Sequence, residues 1–164
     1  MSERLYTEVD EANDIARELT ERYADVFWQV RLNQVSFLGV ENKQPTKRSP
    51  LMKVRGIANA EKAVMLINKV PTRYIVEFFW SSWHEWSDEL KQWYVTKALL
   101  SISVEEGKLI RPDCTEFRII LDQVGVDWDQ RTDLPNLLAN AKVEFNLDLR
   151  PGLEDEDEDE EKED

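Results

Sequence analysis

The segment from Arg73 to Trp80 constrains the fold more than any other part of this sequence. After Arg73 it reads YIVEFFW, in which every residue except Glu77 is β-branched or aromatic. Residues of these types are enriched in strands because they pack well on a pleated surface. The segment therefore predicts a strand, and the elements on either side of it determine which class of fold this strand joins.

Helices are predicted where apolar residues recur at three- and four-residue steps, and strands where apolar residues alternate or cluster. The first helix is predicted over residues 8–24, and further helices over 60–68, 88–102, 115–124 and 134–141. Further strands are predicted within 28–40, over 51–57 and over 143–149, the last as an added edge. Elements in this order predict an α+β fold, a small sheet packed on one side by helices.

The length of 164 residues suits one domain with a substantial core, and 41% of the residues are apolar. No run approaches the roughly 18 apolar residues that a membrane span needs, and the N-terminus lacks a signal-peptide pattern. The single cysteine, Cys114, can form no internal disulfide, which favours a reducing, cytoplasmic setting. We expect one domain over residues 1–152.

Most of the chain's net charge of −13 lies at the C-terminus. Residues 154–164 hold ten acids and one lysine, a net charge of −9, which leaves −4 on the 153 residues before them. A segment without apolar side chains cannot contribute to a core, so we expect a disordered acidic tail over residues 153–164. Such a tail raises solubility, shields a basic surface, or mimics the phosphates of DNA, and the sequence leaves these three roles open.

Three short patterns occur in order between residues 83 and 128. They are a Trp-x-x-Trp-Ser helix start at Trp83 and Trp86, a Glu-Glu-Gly turn at 105–107, and a closing element marked by Asp113, Phe117, Gly125 and Trp128. With these spacings the chain resembles the phage metallopeptidase family from about residue 10 to residue 130. The resemblance implies a zincin-like scaffold, in which family members carry a His-Glu-x-x-His zinc helix between the first two patterns.

In this sequence the positions that the resemblance assigns to zinc hold poor ligands. The two helix histidines fall on Lys97 and Ser101, the glutamate between them on Ala98, and the third histidine on Pro112. A catalytic zinc needs about three protein ligands and an open position for water. Lys97 repels a cation, Ala98 supplies no general base and Pro112 offers no ligand atom. The resemblance therefore implies a protein without catalytic residues at these degenerate positions and without a metal cofactor.

A weaker metal set lies nearby. His84, the only histidine, begins a His-Glu-x-x-Asp string that ends at Asp88, and it forms with Glu85 and Asp113 the candidate ligand set. A metal-binding pair four residues apart must share one helix face. Ser87, however, predicts an N-cap and a helix start within the string. We therefore expect His84 to be a partly exposed loop residue rather than a ligand.

The vacated zinc position is a candidate binding site formed by Lys97, Asp113, Trp83 and Trp86. Lys97 either pairs with Asp113 or points to solvent. The two tryptophans belong to a group of four within fourteen residues. Such a group either fills the core or forms stacking platforms for single-stranded nucleic acid, and the acidic balance of the chain opposes direct nucleic-acid binding.

These observations together predict a phage-encoded, catalytically inactive metallopeptidase-like protein that binds or regulates another protein in the host cytoplasm. The expected partner is a host or phage protein, basic or itself nucleic-acid-binding, and no membrane is involved. Two alternatives remain open. One is an active metallopeptidase with atypical ligands, which would use zinc, and the other is an acidic nucleic-acid mimic or nucleic-acid-associated accessory protein.

Overall fold

A computed structural model describes residues 3–103, 108–112 and 116–151. Within these residues the chain forms a four-stranded mixed sheet with helices packed against it, which confirms the predicted α+β class. The predicted acidic tail over residues 153–164 and the Glu-Glu-Gly turn at 105–107 lie outside the described residues, as do Asp113 and Cys114.

The strands are β1 (Tyr6–Glu8), β2 (Val35–Val40), β3 (Met52–Gly56) and β4 (Tyr74–Phe79). They lie in the order β1-β2-β4-β3, with β2 and β4 parallel and the other two pairs antiparallel. The strands predicted at 51–57 and 73–80 are confirmed. The strand predicted within 28–40 begins only at Val35, because the residues before it turn through backbone hydrogen bonds, such as that from Val30 N–H to the Phe27 carbonyl at 3.0 Å.

The α-helices are α1 (Asp10–Arg22), α2 (Asn59–Ile67), α3 (Trp80–Glu85), α4 (Asp88–Leu100) and α5 (Arg118–Val124). The helices predicted over 8–24, 60–68 and 88–102 are confirmed with slightly shorter ends. Neither β1 nor α3 was predicted from the sequence. No helix in the described part of the chain is both long and apolar enough to span a membrane.

The core lies between one face of the sheet and helices α1 and α4. Successive side chains of a strand point to opposite faces, and Tyr74, Val76 and Phe78 of β4 share the face that is buried, each at most 1% exposed. Phe37 of β2 pairs with Val76 and joins the same face. Buried residues of α1 and α4 complete this cluster, namely Ala12, Ala16, Leu19, Trp93, Val95 and Leu99.

Helix α4 begins where the sequence predicts. The side-chain oxygen of Ser87 accepts a hydrogen bond from the Leu90 N–H at 3.2 Å, and Asp88 and Glu89 occupy the first turn. This cap satisfies one of the N–H groups that a helix start leaves without a partner. The residues before the cap form α3 rather than a loop, so the predicted loop position of His84 is wrong and the histidine lies on a short helix.

The helix predicted over 134–141 and the strand predicted over 143–149 are also wrong. Residues 134–146 form turns and irregular structure, and residues 147–149 form a 3-10 turn. Side chains of α4 provide hydrogen bonds to the backbone of this segment in place of a regular ladder. The Gln92 side-chain oxygen accepts from the Leu137 N–H at 2.7 Å, and the Trp93 indole donates to the Pro135 carbonyl at 2.9 Å.

Tyr23, which follows α1, fixes the same segment from the other side. Its hydroxyl donates to the Leu137 carbonyl at 2.7 Å and accepts from the Val143 N–H at 3.2 Å. Its ring also contacts Phe145 edge-on, with centroids 5.3 Å apart. The alternating apolar residues of 143–149 therefore cover the two helices instead of extending the sheet.

We expect Gln92→Ala to lower the free energy of unfolding by about 2–3 kcal/mol, because it leaves the buried Leu137 N–H without an acceptor. Urea denaturation of the purified variant measures this loss. Gln130→Ala is the matched control, since Gln130 is exposed, and we expect it to change stability by less than about 0.5 kcal/mol. Equal effects of the two substitutions would show that the 134–145 segment does not depend on this side chain.

Candidate functional site

Lys97, at the position that the resemblance gives to the first zinc histidine, lies in the last turn of α4. Its side chain is 31% exposed, and its Nζ lies 3.0 Å from the Oε2 atom of Glu116. The side chain of Glu116 is only 10% exposed. Lys97 therefore neither points freely to solvent nor leaves the vacated position open, because it forms an ion pair with a carboxylate just before α5.

Glu116 is held by hydrogen bonds as well as by charge. The Trp128 indole donates to its Oε2 atom at 3.1 Å, and the Phe117 N–H donates to its Oε1 atom at 3.0 Å. Both oxygens of this carboxylate thus accept a hydrogen bond, as a buried charged group requires. The contacts of Glu116 with Lys97 and with Trp128 join α4, the segment just before α5 and the 3-10 turn over Trp128–Gln130 into one cluster.

Tyr94 lies one turn before Lys97 on α4 and extends this cluster with aromatic rings. Its ring stacks on Trp86, with centroids 4.1 Å apart and planes at 9°, and it contacts Trp128 with centroids 5.0 Å apart. Burial raises the pKa of the Tyr94 phenol far above its usual range, and the negative charges of Asp129 and Glu116 raise this pKa further. The Tyr94 phenol therefore stays neutral throughout the physiological pH range.

A cavity of about 180 Å³ opens beside the ion pair. Its lining combines the aromatic, charged and apolar residues Tyr94, Lys97, Glu116, Leu121, Val126, Asp127, Trp128 and Asp129. Lys97 is the one cation in this lining, and its charge is already balanced by Glu116. The cavity can thus accept a small polar group. Its lysine is engaged in an ion pair and is not placed to act as a base or a nucleophile.

The other positions that the resemblance assigns to the zinc site show no metal-ligand geometry. Ala98 is fully buried in the core, and the Ser101 hydroxyl donates to the Lys97 carbonyl at 3.1 Å, so it bonds its own helix. Pro112 is half-buried and has no ligand atom. Asp113 lies outside the described residues, so the predicted Lys97–Asp113 pair stays a prediction, and Glu116 is the partner that the described residues show.

The weaker candidate ligands do not converge. His84 and Glu85 are exposed at the end of α3, and the His84 ring contacts Trp80 edge-on, with centroids 4.3 Å apart. Among the described residues, no three His, Cys, Asp or Glu side chains are grouped so that they could hold a metal ion. The role of His84 and Glu85 as ligands therefore has no support from their surroundings.

The two tryptophans of the predicted binding site differ in exposure. Trp83 is 1% exposed, its indole donates to Glu11 at 3.2 Å, and the Lys91 amine lies 5.2 Å from its ring centroid. Lys91 also pairs with Glu11 at 2.9 Å, which holds α1 and α4 together. Trp83 is thus a core residue without a surface for a ligand, whereas Trp86 is half-buried against Tyr94.

Glu116 and Tyr94 were not predicted from the sequence to belong to a site, and Trp128 was predicted only as part of a pattern. The charge at Glu116 gave no sign of burial, because acidic residues are common on every surface. Its position directly before Phe117, in the closing element of the resemblance, was the one available signal. The pairing itself joins residues 19 positions apart, a relation that local patterns do not encode.

Comparison with known proteins adds no relative. No family model matches the chain, and neither a curated protein nor a solved structure matches it. The functional interpretation therefore depends on the residues and their contacts.

We expect Lys97→Met to lower the free energy of unfolding by about 2–3 kcal/mol and Glu116→Gln by about 1 kcal/mol. The difference follows from burial, because Lys97→Met leaves a charged carboxylate with little solvent, whereas Glu116→Gln leaves a lysine that water can reach. Denaturant unfolding of both single variants and of the double variant measures these losses of unfolding free energy.

The double variant Lys97→Met/Glu116→Gln should be more stable than Lys97→Met alone, since a neutral amide needs no cation beside it. Strictly additive losses in this cycle would contradict a direct interaction between the two side chains.

Proposed function

We propose that the chain is a non-catalytic binding protein on a zincin-like scaffold, a phage-encoded relative of the phage metallopeptidases that acts in the host cytoplasm. One observation carries this proposal. At the position where the resemblance places a zinc histidine, the Lys97 ammonium pairs with Glu116, and the same carboxylate accepts the Trp128 indole. An internal ion pair thus holds together the elements that a metal would otherwise join.

The chemistry of these residues opposes hydrolysis at this position. A divalent cation beside Lys97 would meet a positive charge within a few ångströms, and it would compete for a carboxylate that is already neutralised. Ala98 has no group that could activate water, and the Ser101 hydroxyl is bonded to its own helix. A peptidase centre needs both ligands and a general base, so their joint replacement supports a binding role.

A second feature supports binding to a protein. Helix α2 has no buried residue, and it carries with its C-terminal extension four exposed apolar side chains: Val64 (58%), Leu66 (55%), Ile67 (80%) and Val70 (39%). We refer to these four residues as the α2 surface. Apolar side chains clustered on one exposed element are typical of protein interaction sites, because leaving them in water is unfavourable.

A metal analysis tests the loss of the zinc site. We expect tag-free protein to hold far less than one zinc per chain after dialysis, and His84→Ala to leave the zinc content unchanged. About one zinc per chain that survives dialysis and is lost in His84→Ala would favour an active metallopeptidase with atypical ligands.

Restoring the ligands tests the scaffold itself. The variant Lys97→His/Ser101→His/Pro112→His should retain about one zinc per chain through dialysis, because it rebuilds the three histidine ligands that the resemblance implies. The matched control Asp14→His/Glu18→His creates an i, i+4 histidine pair on exposed positions of α1, without a third ligand. Equal zinc retention by the two variants, with both folded by circular dichroism, would contradict the zincin-like scaffold.

A capture experiment separates the α2 surface from the acidic tail as the partner-binding element. Ile67→Asp should abolish capture of a host protein from lysate if the α2 surface binds it, and this capture should be insensitive to salt. Removal of residues 154–164 should instead weaken a charge-driven contact, which 0.5 M salt also weakens, because charges in contact with solvent are screened over about 8 Å already at physiological ionic strength. If capture survives both changes, neither the α2 surface nor residues 154–164 bind the captured protein.

A further inference from the structure

The face of the sheet that points away from α1 and α4 carries an unusual residue at its centre. Tyr74, Val76 and Phe78 face the core, so the alternation of β4 places Glu77 on the opposite face. In register, Glu77 lies beside Leu38 of β2 and beside Lys53 of β3. A carboxylate thus lies in the middle of the sheet, where a strand interior usually carries an apolar residue.

Glu77 is buried without a partner. The residue is only 7% exposed, and its carboxylate, which borders a cavity rather than lying sealed in the core, has no hydrogen bond or ion pair within the described residues. Lys53, its neighbour in register, is exposed and forms no ion pair with it in this part of the chain. A carboxylate with so little access to water is costly to leave unpaired, so this arrangement favours an external group with a donor or a positive charge.

Glu77 lines a cavity of about 270 Å³ on this outer face. Its other polar lining residues are Arg4, Ser49 and Lys53, and its apolar lining comes from Val40, Pro50, Leu51, Phe78 and Phe79. Arg4 and Lys53 are exposed, whereas Glu77 is buried. The cavity therefore combines a negative floor, apolar walls and a positive rim.

Hydrogen bonds hold the walls in place. The Asn42 side chain accepts from the Leu5 N–H at 2.7 Å and donates to the Glu3 carbonyl at 2.6 Å, which fixes the segment that carries Arg4. The Ser49 hydroxyl accepts from the Thr46 N–H at 3.1 Å and fixes the loop before β3. A cavity with fixed walls loses little conformational entropy when a ligand binds.

We propose that this cavity binds a small zwitterion with the chemistry of a free apolar amino acid. The ammonium group pairs with Glu77, the carboxylate lies toward Lys53 and Arg4, and the apolar side chain contacts Leu51 and Phe79. Each charged lining residue then meets an opposite charge. The volume also fits, because a free amino acid is smaller than the drug-sized ligands whose pockets measure roughly 300–1,000 Å³, and this cavity lies just below that range.

Leucine and two analogues test this assignment by NMR chemical-shift titration of the full chain. We expect leucine to shift the amide signals of residues around the cavity in a saturable way. 4-Methylpentanoate, which lacks the amine, and leucinamide, which lacks the carboxylate, should each bind about tenfold more weakly or worse, because each loses one charge-assisted contact.

Variants assign each contact to a residue. Glu77→Gln should weaken leucine binding about tenfold or more, and it should not destabilise the fold, because it removes an unpaired buried charge. Lys53→Gln should weaken leucine binding but leave leucinamide binding unchanged. Glu8→Gln is the matched control, since Glu8 lies on the same sheet face and does not line the cavity, and it should bind leucine as the wild type does.

Three outcomes would overturn the proposal. The first is the absence of saturable shifts with leucine, valine, methionine and phenylalanine at millimolar concentration. The second is equal leucine affinity in Glu77→Gln and the wild type. The third is equal affinity for leucine and leucinamide together with no effect of Lys53→Gln, which would replace the zwitterion with a simple amine. None of these outcomes bears on the zinc experiments, because the cavity and the Lys97 cluster share no lining residue.

Discussion

The parallel pairing of β2 with β4 at the centre of the sheet is the interaction on which the other elements depend. It places Phe37 beside Val76 and creates the apolar face that α1 and α4 cover. Both strands have a further strand on their outer side, so their backbone groups are satisfied without solvent. Because this face is apolar and continuous, the two long helices pack on it together and are joined to each other by Lys91 and Glu11.

Helix α4 packs against the core on one side and against the elements that follow it on the other. Trp93, Val95 and Leu99 are buried in the core, while Tyr94 and Lys97 contact the elements that follow the helix. Such a helix has little apolar asymmetry, because nearly every side has a neighbour. Its partners on the second side are polar, so the contacts there are directional. This directionality explains how Glu116 and Trp128 are held in one geometry.

The two faces of the sheet have different chemical characters. The face toward the helices is filled with aromatic and aliphatic side chains. The opposite face is only partly covered by the segment around Arg4 and by residues 49–51, so Glu77 lies buried yet borders a cavity. An acidic residue inside an otherwise apolar strand lowers the free energy that the strand gains from burial. A polar contact on the outer face provides a physical reason for its presence.

Local signals in the sequence determined β4, α1 and the start of α4. An aromatic and β-branched run, a helical apolar period and a Ser87 cap each act within a few residues. Only tertiary structure decided the course of residues 134–149, where the predicted helix over 134–141 and the predicted strand over 143–149 are both absent. There the Gln92 side chain accepts a hydrogen bond from the Leu137 N–H, 45 positions away. Backbone groups that bond to such distant side chains do not need the hydrogen bonds of a β-sheet. The partner of Lys97 and the unpaired state of Glu77 were decided in the same way, because folding, and not spacing, sets which charges meet.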